Sequence, residues 1–134
     1  MTIQLSSAVR TARVTAIETA IGTAARVSIR SGAQPTNCAA ADSGTEIIRY
    51  TLGSDWSTQT GAVLTFSSTP ISGTATGTAT AAHYRVYASD GTTCHMQGTV
   101  TATGGGGDMT VDNTSVTTGQ TVQITGWTIT DGNP

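Results

Sequence analysis

The sequence contains no lysine and little charge of either sign. Six basic residues, all arginine, stand against eight acidic ones, and the formal net charge is −2. Such a chain has no general attraction to a phosphate backbone or to an anionic membrane surface. It has no apolar run near the ~20 residues that span a bilayer, and its start, MTIQLSSAVR, lacks the pattern of a secretory signal. We therefore expect no nucleic-acid partner, no membrane partner and synthesis in the cytoplasm.

Residues that carry chemistry are also scarce. The two cysteines, Cys38 and Cys94, permit one bridge but no disulfide framework, and we expect free thiols. The stretch TGGGGDMTVDN resembles a phosphate-binding loop only in its glycines, because that motif also needs a lysine. We interpret it as a mobile connector between strands. The sequence thus predicts no catalytic residue, no cofactor and no metal site, and we do not expect an enzyme.

Threonine and glycine are abundant instead, a composition typical of β-strands and turns. At 134 residues the chain has the size of one domain with one core. From Ala25 onward, apolar and polar residues alternate in several short segments, such as ARVSIRS and EIIRYTL. Short strands without helices between them predict a mainly β fold, an antiparallel β-sandwich of jelly-roll-like type over residues 25–134.

One predicted strand contains a change of parity. In TVQITGWTIT, Val122 and Ile124 have even numbers, whereas Trp127 and Ile129 have odd ones. An extra residue at Gly126 would shift the alternation by one and return both pairs to the core, so we predict a β-bulge there.

A short α-helix is predicted before the sandwich, in a helical arm over residues 1–24. In SSAVRTARVTAIETAIG, Ser6 or Ser7 can cap the first amides and Gly22 can end the helix. Apolar residues recur there at spacings of three and four. Because a short helix rich in threonine is marginal alone, it must pack against its own sandwich, a sister subunit or a larger assembly.

The stretch HYRVYASDGTTCHMQGTV holds both histidines of the chain. We interpret it as a β-hairpin with a three-residue loop that ends at Gly91 in the left-handed conformation. In that register Val86 faces Cys94 on the apolar side, and Arg85 faces His95 on the other. The two histidines then lie about 7–8 Å apart on a diagonal, but the arginine beside them argues against a shared metal. We expect a half-buried hairpin with a polar outer face.

Three stretches resemble small structural proteins of tailed phages and prophages: LSSAVRTARVTAIETAIGTAARVSIRSGAQPTNCAAADSG, HYRVYASDGTTCHMQGTV and GGGGDMTVDNTSVTTGQTVQITGWTITDGNP. The β-rich design resembles capsid cement, or decoration, proteins, which have jelly-roll or related sandwich folds and bind the outside of an icosahedral head. The resemblance implies a virion protein on the capsid surface, made in the host cytoplasm. Its implied partners are the major capsid protein and neighbouring copies of itself, in dimers or trimers. No catalytic residues come with the resemblance.

The amino-terminal helix is the candidate for docking to the capsid. Residues 1–30 hold four arginines against one acidic residue, so this part of the chain suits an acidic partner. Interfaces are depleted in lysine and enriched in arginine, which agrees with the composition. The predicted docking residues are Leu5, Val9, Arg10, Arg13, Ala16, Ile17 and Ile21.

Two other functions remain open. A tail or head-tail junction protein would use a similar fold and composition, but it would be present in a few to a few dozen copies per particle rather than hundreds. A carbohydrate-binding module would need exposed aromatic side chains that stack on sugar rings, and Tyr87 and Trp56 are the candidates for that role.

Overall fold

The computed structural model describes residues 3–67 and 71–131, which form one α-helix and ten β-strands. Of the predicted arm, 1–24, and the predicted sandwich, 25–134, residues 1, 2, 68–70 and 132–134 lie outside the described residues. The helix is α1 (Ser7–Ile21). The strands are β1 (Arg26–Ser31), β2 (Glu46–Thr51), β3 (Ser57–Thr60), β4 (Val63–Phe66), β5 (Ile71–Thr74), β6 (Ala79–Tyr87), β7 (Cys94–Ala102), β8 (Met109–Val111), β9 (Ser115–Val116) and β10 (Thr121–Thr130).

The predicted helix and its caps are confirmed. The hydroxyl of Ser6 accepts a hydrogen bond from the amide of Val9 at 3.3 Å, and α1 ends at Gly22, whose amide donates to the carbonyl of Glu18. These contacts satisfy backbone groups that a helix end leaves unpaired. The fold is mainly β, as predicted, and this helix precedes the strands in the chain.

The strands form a curled sheet in the order β2-β1-β6-β7-β8-β10-β4-β3, with β5 paired to β10 and β9 to β6. Among the described strands, β7 and β8 run parallel, with Val100 opposite Met109, and the other pairs are antiparallel. The expectation of an antiparallel sheet is therefore wrong, because the sheet is mixed.

The glycine run explains the parallel pair. Residues 103–108 turn back along β7, so that β8 starts beside the residues that precede the turn. Gly105 and Gly107 lie so close to Thr101 that an added Cβ would come within 2.7 and 2.8 Å of its side chain. The amide of Gly107 also donates to the hydroxyl of Thr101 at 3.0 Å. The stretch that we interpreted as a mobile connector packs against β7, and the absence of side chains permits this approach.

The core is organised around Trp127, which we expected to be buried. Its ring stacks on that of Trp56, with the centroids 5.7 Å apart, and contacts Phe66 and Tyr84 at 5.5 Å each. Its indole nitrogen donates to the hydroxyl of Tyr84 at 3.0 Å, so both buried polar atoms are paired. Burial raises the pKa of Tyr84 to about 12.

The predicted β-bulge is confirmed. Where β10 pairs with β8, the register shifts between Ile124 and Gly126. Val122, Ile124 and Trp127 are all buried, and Ile129 packs against the core as a half-buried side chain. The extra residue therefore returns the apolar side chains on both sides of it to one core.

Candidate functional site

Helix α1 packs on the strands through one face. Val14 and Ile21 are buried in the common core, and Ile17 packs against it as a half-buried side chain. The hydroxyl of Thr11 also donates to the carbonyl of Gly61 at 2.7 Å. The helix thus shares its core with the strands, while the division into an arm, 1–24, and a sandwich, 25–134, stays a prediction.

Glu18 holds the helix on the edge strand β3. Its carboxylate accepts hydrogen bonds from the amides of Trp56 and Ser57 at 3.2 Å, from the hydroxyl of Ser57 at 2.7 Å and from the side chain of Gln59 at 2.6 Å. Burial raises the pKa of Glu18, but these hydrogen bonds lower it more, so the pKa lies below its ordinary value. The ionised carboxylate therefore accepts hydrogen bonds from backbone amides at the edge of the sheet, where no neighbouring strand pairs with them.

The opposite face of α1 is exposed and uncharged. A surface helix normally carries charged side chains on its outer face, whereas this one presents mainly methyl groups. Val9 is 45% exposed. The hydroxyls of Thr15 and Thr19 donate to carbonyls one turn earlier, at 2.8 and 3.2 Å, and so point back to the helix. We call this surface the outer helix face; it consists of Ala8, Val9, Ala12, Thr15, Ala16, Thr19 and Ala20.

The five apolar residues predicted to dock divide between the two faces. Val9 and Ala16 belong to the outer helix face, and Leu5 is half-buried just before the helix. Ile21 is buried in the core and Ile17 lies against it, so Ile21 is not accessible to a partner. The predicted docking residues include Val9 and Ala16 together with Ile17 and Ile21. The helix turn places these two pairs on different faces.

The two arginines predicted to dock meet at one residue. Arg10 donates to the carbonyl of Asp131 at 3.0 Å, and Arg13 forms an ion pair with its carboxylate at 3.0 Å. The side chain of Arg13 is still 54% exposed, so its charge borders the outer helix face. A docking role for these residues stays a prediction.

The predicted hairpin of β6 and β7 has another register. Val86 pairs with Met96 instead of Cys94, and Cys94 pairs with Tyr87, with a shift between Val86 and Tyr87. The loop is longer than predicted because the carboxylate of Asp90 accepts hydrogen bonds from the amides that follow it. The antiparallel hairpin itself and the positive φ of Gly91 are confirmed. Cys94 therefore lies on the polar side, beside Arg85, and not on the apolar side.

On the polar side of this hairpin, the residues of β6 are buried and not exposed as predicted, whereas His95 of β7 is exposed. The connection between β1 and β2, residues 32–45, folds over these residues of β6; we call this the covering segment. His83, Arg85 and Tyr87 are each at most 2% exposed beneath it. The carbonyl of Gly32 lies 3.0 Å from Nδ1 of His83, within hydrogen-bond distance. Connections longer than about 12 residues without strands or helices are uncommon in compact domains, so the length of this one is the sequence signal that it has a role of its own.

Arg85 is the centre of the contact between hairpin and covering segment. Its guanidinium donates to the carboxylate of Asp42 at 2.6 Å, to the carbonyl of Ala40 at 3.0 Å and to the carbonyl of Cys38 at 2.8 Å. Its Nε donates to the sulfur of Cys94 at 3.3 Å. One cation thus gathers three groups of the covering segment and one of β7.

Asp42 balances that buried charge. It also accepts a hydrogen bond from the hydroxyl of Tyr87 at 2.6 Å, and Arg30 lies 3.6 Å away. Burial raises the pKa of Asp42, but the bond from Tyr87 and the two arginines lower it more, so it stays below its ordinary value. The same carboxylate, together with burial, raises the pKa of Tyr87. The cluster is a fully paired ionic contact, which suits fixing a segment in place.

Two residues considered for other roles are not placed to perform them. Trp56 and Tyr87, the candidates for stacking on sugars, are both buried.

His83 lies opposite Thr99, four residues beyond His95 in β7, so the expected diagonal of the two histidines is wrong. Among residues 3–67 and 71–131, no group of three or more His, Cys, Asp or Glu side chains is placed to hold a metal ion.

Comparison with known proteins leaves the family open: no family model, no curated protein and no solved structure matches the chain. Within the described part of the chain, no helix has the length and hydropathy required to cross a membrane.

Proposed function

We propose that this chain is a structural protein of a tailed-phage particle, a cement or decoration protein that binds the outside of the head and stabilises it by subunit contacts. The outer helix face is its docking surface, and its curled sheet is a variant of the jelly-roll-like sandwich. It acts by binding and not by catalysis. The observation that carries the proposal is the exposed, uncharged face of a helix that is firmly held on the strands.

The shape of the outer helix face supports a protein partner. Its alanines at positions 8, 12, 16 and 20 repeat every four residues and so lie along one line of the helix. The line is about 20 Å long, from the 1.5 Å rise per residue. Small side chains let a neighbouring backbone approach closely, and methyl groups gain free energy when a partner removes them from water.

The charges around that face support an acidic partner. Arg13 lies at its border and is half-exposed, because its ion pair with Asp131 leaves part of the guanidinium in water. The major capsid protein supplies the acidic surface in this proposal, and neighbouring copies supply contacts related by the symmetry of the shell, as dimers or trimers. Border charges of this kind affect orientation and association rate more than affinity.

The test uses phage particles produced with the wild-type chain or with Ala12→Glu/Ala16→Glu. Glutamate is a good helix former, so the double variant should fold, but it places two charges in the docking surface. We expect quantitative mass spectrometry of purified particles to find hundreds of wild-type copies and almost none of the variant. The matched control, Thr117→Glu, changes an exposed turn residue outside the helix and should be incorporated normally.

Other outcomes separate the alternatives. A few to a few dozen copies per particle would assign the chain to the tail or head-tail junction. Absence of the wild-type chain from particles would overturn a virion role, and normal incorporation of the double variant would overturn the role of the helix. Circular dichroism of the purified variants checks that any loss does not come from unfolding.

A further inference from the structure

The two cysteines are far apart in sequence and meet in the fold. Cys38 lies in the covering segment and Cys94 begins β7. Arg85 binds both residues, through the carbonyl of Cys38 at 2.8 Å and the sulfur of Cys94 at 3.3 Å. Cys94 also lies close enough to Cys38 to raise the pKa of its thiol. Both residues are partly exposed, so a reagent in solution can reach them.

We propose that Cys38 and Cys94 are a redox site, in which a disulfide oxidant links the covering segment covalently to the β6–β7 hairpin. In the reduced protein the segment is held there by noncovalent contacts, including those of Arg85 with Asp42 and with the carbonyls of Cys38 and Ala40. The cross-link adds a covalent connection at the same place. It requires no large movement, because Arg85 already holds the two residues next to each other.

The reaction with glutathione disulfide balances as thiol-disulfide exchange. The thiol of Cys94, which has the guanidinium of Arg85 as a neighbour, loses its proton to water, attacks one sulfur of the oxidant and releases one glutathione thiolate. The sulfur of Cys38 then loses its proton to water and attacks the Cys94 sulfur, which releases the second glutathione. The protein loses two electrons and two protons, and the oxidant becomes two molecules of reduced glutathione.

The order of the two steps follows from the surroundings of the sulfurs. Burial and the neighbouring Cys94 raise the pKa of the Cys38 thiol to about 11, so at neutral pH it remains protonated. It therefore serves as the resolving thiol and not as the first nucleophile. A reducing cytoplasm keeps the pair as thiols, and transfer to oxidising surroundings favours the disulfide.

The experiment treats the whole folded chain with glutathione disulfide, blocks the remaining thiols and digests with trypsin without reduction. Cleavage after arginine places Cys38 in the peptide 31–49 and Cys94 in the peptide 86–134. We expect the loss of both free peptides and the appearance of one linked pair, which dithiothreitol separates. Hydrogen exchange of residues 32–45 should also become slower in the oxidised protein.

Two controls make the result specific to the fold. The same oxidation of the chain unfolded in guanidinium chloride should form the link more slowly, because Arg85 then no longer holds the two residues next to each other. The variant Cys38→Ser should stop at a glutathione adduct on Cys94. Free peptides after oxidation of the folded wild type, or two separate glutathione adducts, would overturn the proposal. So would equally fast linking in the unfolded chain.

Discussion

Replacing Arg85 by methionine should release the covering segment. Methionine has similar length and no charge, so the change removes the hydrogen bonds and leaves most of the packing. The carbonyls of Cys38 and Ala40 lose their donor, and the carboxylate of Asp42 keeps only the bond from the hydroxyl of Tyr87 and the more distant Arg30. The perturbation therefore leaves a partly buried anion without its main partner.

The expected loss of unfolding free energy is about 3 kcal/mol. Breaking a buried ion pair by removing one partner costs roughly 3–5 kcal/mol. The low end applies because the side chain of Asp42 is 36% exposed and water can replace part of the lost contact, whereas that of Arg85 is only 2% exposed. A loss of this size is a large fraction of the roughly 5–15 kcal/mol that holds a domain folded.

Urea unfolding of the wild type, Arg85→Met, Asp42→Asn and the double variant measures the effect. The double-mutant cycle should give a coupling energy of at least about 1 kcal/mol between the two side chains. Hydrogen exchange should become faster in residues 32–45 before it does in β10. If Arg85→Met unfolds within about 0.5 kcal/mol of the wild type, as most surface substitutions do, then the buried cation does not hold the segment and our reasoning fails.

Two further predictions concern the helix and the pH dependence. Glu18→Ala should cost about 2 kcal/mol in urea unfolding, because it leaves the amides of Trp56 and Ser57 without an acceptor; Glu18→Gln should cost less, and equal losses would count against the hydrogen bonds. Burial, assisted by Arg30 and Arg85 and opposed by the Gly32 carbonyl and Asp42, lowers the pKa of His83. Folding therefore favours neutral His83, so the contribution of this residue to stability should be constant well above pH ~6.5 and fall as the pH decreases below that value. His83→Gln should flatten this decrease in urea titrations, and an unchanged slope would contradict it.

Features that depend on neighbouring residues could be predicted from the sequence. The helix, its serine cap and its end at Gly22 follow from residues within one or two turns. The bulge at Gly126 follows from a parity change that any strand with a buried face must repair. In both cases the physical cause lies within about ten residues of the feature.

Features that depend on distant residues were missed. The sequence predicts a hairpin with an exposed polar face, because no residue within the hairpin indicates that residues 32–45 cover Arg85 and His83. The predicted register of the hairpin is wrong because the carboxylate of Asp90 accepts hydrogen bonds from the amides of Thr92 and Thr93, and these bonds lengthen the loop. A register change at the end of β6 then moves Cys94 to the polar side, where the predicted pattern had no place for it.

The candidate site also combines a feature that nearby residues determine with one that distant residues determine. The sequence predicts the helix as the docking element, but it does not divide the helix into its two faces, because isoleucines and alanines both fit an apolar stripe. The large side chains, Ile17 and Ile21, contact the core, where their volume fills space that alanine would leave empty. The small ones remain outside, where they form the methyl surface that the proposed partner would cover. The placement of residues by size, with large side chains inward and small ones outward, is therefore the physical reason to look for a partner on the outer helix face.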